Sequence, residues 1–234
     1  MCIMSKGRLP KLLEVAKSLP DRDQRKVAAV LGACVGDAAG RPLHWVYDMS
    51  ALNRYLKDDG HGVDRTATPE FYPENRSPFY SLPTGENSCY WDISGAVLTA
   101  MAKERVYDYH KTVCQALDDR FFGAETDYSL EKRQNYMQLR AMGLTPDQPI
   151  QGRWFNGSLI KFKENFDAKK QRPYGDPHIK ETDGFCAALP VALACADASE
   201  AQTKAEEVIK TLSSWPTAVS HGLVAVNIVM KVGN

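Results

Sequence analysis

The sequence predicts an all-α fold, and three observations support this. Apolar residues recur at spacings of three and four positions in about eight or nine segments. No segment shows the alternation of apolar and polar residues that marks a half-buried strand. Prolines and glycines separate the segments, which follow no fixed period of the kind found in solenoids. We therefore expect a globule of packed helices.

Composition and charge narrow the class of protein. The chain has 234 residues, of which 44% are apolar and 25% charged, so it can bury a sizeable core. Lys+Arg and Asp+Glu both number 29, and the zero net charge argues against nucleic acid or a membrane surface as the main partner. No apolar run reaches the roughly 20 residues of a membrane span, and no signal peptide is recognisable. The six cysteines form no CxxC or CxxH pair, so we expect free thiols, no zinc site and a cytoplasmic location.

The first two predicted helices lie before residue 42. Residues 8–18 form a short amphipathic segment, which Pro20 ends. Asp21 is then predicted to cap a longer helix, with Gln24 at the third helical position as in a capping box. Pro42 cannot continue this helix. Three glycines at intervals of four predict that another helix or a ligand passes close to its backbone: Gly32, Gly36 and Gly40.

A long connection rich in proline and aromatic residues separates this helix from the next strong pattern. Residues 48–58 favour one short helix, and the aromatics after it predict that the connection packs on the body of the protein. A loop of small polar residues then ends at Asp92, where a further helix begins. Asp92 has two interpretations: a carboxylate that complements the start of the helix, or a ligand of a functional site.

The remaining pattern is also helical. Glycine or proline turns precede several of these segments, and Pro216 suits a helix N-terminus. Helices are predicted over 108–122, 128–142, a short stretch after Trp154, 199–213 and 216–232, and 181–196 is predicted as a glycine turn that runs into a helix.

Three pieces of the chain, in this order, resemble the ADP-ribosylglycohydrolase superfamily, most closely its J1-crystallin-like branch. The first is GACVGDAAGRP at 32–42, similar to the opening helix of the family. The second is SCYWDIS at 88–94, where the hydrolases carry Thr-Asp-Asp-Thr and the crystallin-like members carry Ser-Cys-Tyr-Gly-Asp. The third is TDGFCAALP at 182–190, similar to a Gly-Asn-Gly-x-Met-Arg loop. The resemblance covers residues 25–232 and includes a later Ser220-His221 helix start.

This resemblance implies an orthogonal all-α globule that hydrolyses ADP-ribosyl bonds with two magnesium ions. Asp92 would then hold metal and serve catalysis, with Ser94 as a second metal ligand. The Asp183-Gly184 turn would meet the phosphate or ribose of an ADP-ribose-like small molecule or an ADP-ribosylated protein. His44 would line the mouth of the cleft.

The sequence departs from the family pattern at its ligands. Trp91 and Ile93 replace a threonine and the second aspartate of the metal motif, and Asp183 stands for asparagine. The C-terminal Asp-x-Asp-Thr motif has no counterpart. The resemblance therefore implies a single domain over residues 1–234 that lacks the C-terminal helices, with residues 1–20 as an extension. It also implies an eroded site where magnesium is weakly bound or lost.

Three hypotheses follow: an altered ADP-ribosyl hydrolase, a non-catalytic relative that is structural or binds an ADP-ribose-type ligand, and a truncated product. Individual residues keep plainer interpretations. His221 suits a core or surface histidine better than a ligand. Trp45 and Trp91 suit packing better than stacking on an adenine. Cys89 has no histidine nearby in sequence and is not expected to act as a nucleophile.

Overall fold

Helices carry almost all of the regular structure, which confirms the all-α prediction. The computed structural model describes residues 8–103, 108–144 and 149–233. Within these ranges a parallel pair of two-residue strands, β1 (Tyr80–Ser81) and β2 (Ile150–Gln151), is too short to show any alternation in sequence. The helices are α1 (Arg8–Lys17), α2 (Asp21–Gly40), α3 (Met49–Lys57), α4 (Cys89–Lys103), α5 (Tyr109–Phe122), α6 (Leu130–Ala141), α7 (Gly157–Asp167), α8 (Gly184–Ala194), α9 (Ala198–Ile209) and α10 (Pro216–Gly233).

The helix boundaries lie close to the predicted ones, and two helix starts differ. Helix α4 begins at Cys89, so Asp92 lies in its first turn rather than ahead of it. Helix α2 begins at Asp21 itself, and the Gln24 side chain donates to the Leu19 carbonyl instead of closing a capping box. A single 3-10 turn at Arg41–Leu43 follows α2, where the proline ends the α-helix.

The chain divides into two compact units, each of which makes most of its contacts within itself. The first unit takes its described residues from the range up to Ala33, from Tyr90–Glu125 and from Asn156 onward. The second unit comprises Cys34–Cys89 and Thr126–Phe155. Helix α2 thus contributes its first part to one unit and its last part to the other.

The first unit is built around α8. Seven consecutive residues of this helix, from Ala187 to Leu193, are buried, with α9 and α10 packed on it. Ile209 at the end of α9 lies so close to α8 that Gly184 has no room for a Cβ, and its side chain also lies against Gly222 of α10. A Cβ at Gly184 would meet the Ile209 carbonyl oxygen at 2.7 Å, and one at Gly222 would meet Ile209 Cδ1 at 2.6 Å. These glycines set how closely the helices approach.

The second unit has an aromatic core instead of a helical one. Tyr80, Tyr136, Ile150 and Trp154 form a buried cluster, with Trp45, Phe79 and Leu82 packed against it. Tyr72 and Tyr80 are buried as well, which confirms that the long connection packs on the protein. Aromatic rings therefore form the core of the second unit, whereas apolar helix faces form the core of the first.

The glycines of α2 do not have the predicted helix neighbour. A Cβ built on Gly32, Gly36 or Gly40 meets no described atom within 4 Å. The prediction that another helix passes close to this backbone is therefore wrong for the described part of the chain, and the glycine face is open to solvent. None of the described helices is long and apolar enough to cross a membrane.

Candidate functional site

Asp92 is held by an arginine that the sequence did not single out. Nη2 of Arg120 on α5 donates to Asp92 Oδ2 at 2.8 Å. The Asp92 side chain is 12% exposed and that of Arg120 is 28% exposed. Its place in the first turn of α4 also suits a carboxylate, because the helix dipole is positive there. Asp92 therefore has compensation from both the helix and the guanidinium.

The Ser94 side chain makes a hydrogen bond to a carbonyl that a proline leaves without its helical donor. Pro190 lies inside α8 and has no N–H, so the carbonyl four residues earlier, at Cys186, loses its usual helical donor. The Ser94 hydroxyl donates to that carbonyl at 2.6 Å. Ser94 is buried and joins α4 to α8. The start of α8, which carries Asp183 and Gly184, thus lies beside α4 in the same unit.

Asp183 faces the start of another helix rather than its own. Its Oδ2 accepts hydrogen bonds from Asn156 Nδ2, at 2.9 Å, and from the Ser158 hydroxyl. Glu181 accepts the Ser158 backbone N–H at 2.7 Å, so two carboxylates lie at the N-terminus of α7. Burial, reinforced by the negative charge of Glu181, raises the pKa of Asp183 to about 6. Among the described residues, Asp183 Oδ1 is buried without a hydrogen-bond partner.

His44 belongs to the second unit, whereas the other four predicted site residues belong to the first. Its Nδ1 lies 3.0 Å from the Tyr80 hydroxyl, and its ring stacks on Trp45 with centroids 6.0 Å apart. Burial lowers the pKa of His44, against the opposing effect of Asp37 and with a further lowering by Arg41. Trp45 packs edge-on against Phe79 and other rings, as the packing interpretation expects.

The loop that leads into α4 is fixed within the second unit by Asp37. This carboxylate accepts the Ser88 backbone N–H at 2.7 Å, the Ser88 hydroxyl at 2.5 Å and Asn87 Nδ2 at 3.1 Å. The aspartate of the first family-like piece therefore orders the beginning of the second piece.

Two buried arginines hold the same loop. Arg41 is fully buried and donates to the carbonyls of Leu82, Pro83 and Glu86 and to the Asn75 side chain. Arg153 donates to the Asn87 carbonyl at 3.0 Å and to the Glu86 carboxylate at 3.2 Å. Sequence reasoning missed both arginines, although an arginine beside Pro42 at a helix end was a visible clue for the first.

These side chains do not fit a magnesium ion at the start of α4. Magnesium prefers a near-octahedral set of oxygen ligands at about 2.1 Å. In the part of the chain that the structure describes, no three His, Cys, Asp or Glu side chains come together to hold a metal. At Asp92 the neighbouring charge is a guanidinium, which repels a second cation, and Ile93 is fully buried. Asp92 is the one carboxylate of the SCYWDIS piece, and Arg120 already compensates its charge.

Comparison of the sequence with known proteins identifies the family of this chain. The sequence profile of the ADP-ribosylglycohydrolase family matches residues 18–232, nearly the whole chain. The chain belongs to the ADP-ribosylglycohydrolase family. It is 25% identical over 186 residues to Crystallin J1A of Tripedalia cystophora and 24% identical over 186 residues to Crystallin J1B of the same organism.

The relatives are longer than this ADP-ribosylglycohydrolase-family chain. Each of the two alignments covers 80% of the chain and 51% of the crystallin. The chain thus spans about half the length of the curated relatives it matches. No solved structure matches it.

Proposed function

We propose that this chain is an ADP-ribosylglycohydrolase-family protein with an eroded metal site, and that it hydrolyses ADP-ribosyl bonds weakly or not at all. The observation that carries the proposal is the ion pair between Arg120 and Asp92. Asp92 is the one aspartate of the family-like SCYWDIS piece, and its carboxylate is engaged by a cation of the protein itself.

The chemistry of the reaction supports the same conclusion. Metal-assisted hydrolysis needs a metal that polarises the substrate and lowers the pKa of a bound water. Ile93 stands where the family has its second aspartate, and its side chain is fully buried. One carboxylate that is already paired with a guanidinium does not provide the charge and the oxygen ligands that such an ion requires.

The proposed ligand is an ADP-ribose-like small molecule or an ADP-ribosylated protein. Asp183 and Gly184 remain the predicted binding residues of the first unit, and His44 remains that of the second. The buried, partnerless Oδ1 of Asp183 supports a role for this carboxylate as an acceptor. We also propose that the protein lies in the cytoplasm, which is supported by the buried thiols of Cys114 and Cys195.

The test measures release of ADP-ribose from an ADP-ribosylated protein with magnesium present. Wild type and Asp92→Asn are expected to release it equally slowly, since Asp92 holds no metal in this proposal. The matched control is Asp118→Asn, which removes a carboxylate from another ion pair of the first unit, with Lys163. Magnesium-dependent release by wild type that falls in Asp92→Asn but not in Asp118→Asn would overturn the proposal.

The second candidate is a non-catalytic structural role or simple ligand binding. The observation that favours it is the similarity to two proteins named crystallins. Calorimetric titration with ADP-ribose separates its two forms: a binder gives saturable heat without magnesium, and a structural protein gives none. Tight magnesium binding in the same instrument would contradict both forms.

A further inference from the structure

The ion pair of Asp92 differs from the other ion pairs of its unit. In the described ion pairs of the first unit, the carboxylate side chains other than Asp92 are between 25% and 58% exposed, whereas Asp92 is 12% exposed. An exposed pair stabilises a protein by roughly 0–1 kcal/mol, but a carboxylate removed from water depends more strongly on its counter-charge. The Arg120 guanidinium therefore contributes more to the stability of the fold than the cation of an exposed ion pair does.

The charge supplied by Arg120 is permanent. Its guanidinium keeps its proton at every pH at which the protein is folded, and it binds carboxylates through a fixed planar set of donors. A bound metal ion, by contrast, depends on its concentration in solution. Asp92 thus has a counter-charge that is always present.

We infer that Arg120 is a built-in cation that replaces metal at the start of α4. This inference deepens the proposed function and rests on it, since it names what compensates Asp92 in an eroded site. Arg120 makes the region independent of metal, and it also keeps metal away, because two cations near one carboxylate repel each other. Removing the guanidinium while keeping Asp92 exposes a carboxylate that attracts cations.

The variant Arg120→Gln tests this directly. It keeps a long polar side chain and removes the charge. The melting temperature should fall in the absence of divalent ions and recover by several degrees when magnesium chloride is added, because an ion that binds only the folded state stabilises it. Wild type should show no such recovery. The readout is thermal unfolding followed by circular dichroism, which needs no enzymatic activity.

Terbium(III) alone gives a second, site-specific readout. It is a hard cation that prefers oxygen ligands, as magnesium does, and nearby tryptophan sensitises its emission. Trp91 and Asp92 are neighbours in the first turn of α4, so Trp91 is the tryptophan nearest in sequence to a cation on Asp92. The dissociation constant for terbium should be about tenfold lower in Arg120→Gln than in wild type, the change that about 1.4 kcal/mol produces.

Three controls separate this role from ordinary packing. Arg120→Lys keeps the charge and should behave like wild type towards both ions. The double variant Arg120→Gln with Asp92→Asn should lose the gain in cation binding. Lys163→Gln breaks the comparable pair with Asp118 and should leave emission beside Trp91 unchanged.

Equal responses of wild type and Arg120→Gln to both ions would overturn the inference, and so would a gain that survives in the double variant. Failure of the proposed function has a different signature. It would appear as magnesium-dependent ADP-ribose release by wild type, whatever the melting curves of the Arg120 variants show.

Discussion

At the scale of single residues, two buried titratable side chains of the first unit have shifted pKa values. The two shifts make the stability of the fold depend on pH in opposite directions. Asp183 is 2% exposed, and burial raises its pKa to about 6. His110 is also 2% exposed, and burial lowers its pKa to about 4, with Arg172 adding to the effect. Both groups favour their neutral forms in the folded protein, so each makes stability depend on pH.

For Asp183, stability should fall as pH rises. The folded state holds the proton up to about pH 6, whereas the unfolded chain releases it near pH 3.9. Asp183→Asn cannot ionise and keeps an oxygen acceptor for Ser158. Relative to wild type, its free energy of unfolding should increase between pH 4.5 and pH 8 by about 2 kcal/mol. Urea denaturation at several pH values measures this, with Asp167→Asn on exposed α7 surface as the control. A difference that stays constant with pH would show an ordinary aspartate.

For His110, stability should fall as pH decreases. The unfolded histidine takes up a proton near pH 6.5, while the folded one resists it down to about pH 4. The contribution is fully present above pH 6.5 and is lost as pH falls through this window, by up to about 3 kcal/mol. His110→Gln should remove this loss, so the variant gains on wild type at pH 5 compared with pH 7.5. Exposed His178→Gln should not, and a similar gain there would contradict the assignment.

At the scale of elements, the packing of α4 on α8 depends on a proline. Ser94→Ala removes the donor to the Cys186 carbonyl and should cost about 1–3 kcal/mol of stability. In a Pro190→Ala background the helix supplies its own N–H to that carbonyl, so the cost should fall below about 1 kcal/mol. Urea denaturation of the four proteins gives this double-mutant cycle.

The control for this cycle is another buried serine. The Ser213 hydroxyl donates to the Ile179 carbonyl at 2.7 Å and has no connection with Pro190. Its replacement by alanine should cost the same in both backgrounds. If the cost of Ser94→Ala were equally insensitive to Pro190, the bond would not be a replacement for the missing helical one.

The glycines of two helices should respond oppositely to alanine. Gly36→Ala on α2 meets no described atom within 4 Å and should stabilise the protein by about 0.5–1 kcal/mol, the helix propensity difference. Gly184→Ala on α8 would press on the Ile209 carbonyl and should destabilise it by about 1–3 kcal/mol. Thermal unfolding of both variants checks the pair. A loss of stability in Gly36→Ala would indicate that the open face of α2 is covered in solution.

Sequence reasoning located the elements better than their contacts. Helical periodicity is local, so α5 and α10 were predicted within a residue or two of their observed ends. The glycines of α2 looked like a packing face because spacing reveals which residues share a face but not what faces them. Gly184, which does pack closely, carries no different signal in sequence.

At the scale of the whole molecule, the candidate residues were chosen from short motifs, and the charged side chains that pair with them were missed. Asp92 and Ser94 followed from one short motif, and Asp183 from another. Arg120 lies 28 residues beyond Asp92, and nothing in its own segment distinguishes it from a surface arginine. Long-range pairing depends on the packing of α5 on its neighbours, which no local pattern encodes. The same reason explains why Arg153 and Arg41 escaped notice.

The charge of the whole chain makes a prediction that bears on a structural role. The net charge is zero and the pI is about 6.9, so repulsion between molecules is weakest near neutral pH. Two apolar residues on the outer face of α10, Val224 and Ile228, are 57% and 59% exposed and should add attraction. We expect the second virial coefficient from light scattering to be lowest near pH 6.9 and to rise towards pH 9.

One substitution and its control separate the effect of the apolar α10 face on association from the effect of net charge. Ile228→Lys adds a charge and removes exposed apolar surface, whereas Thr203→Lys, at an exposed position of α9, adds only the charge. The first should raise the second virial coefficient at pH 6.9 more than the second does. Equal effects would mean that charge alone governs association. A coefficient already high in wild type at pH 6.9 would contradict the charge argument.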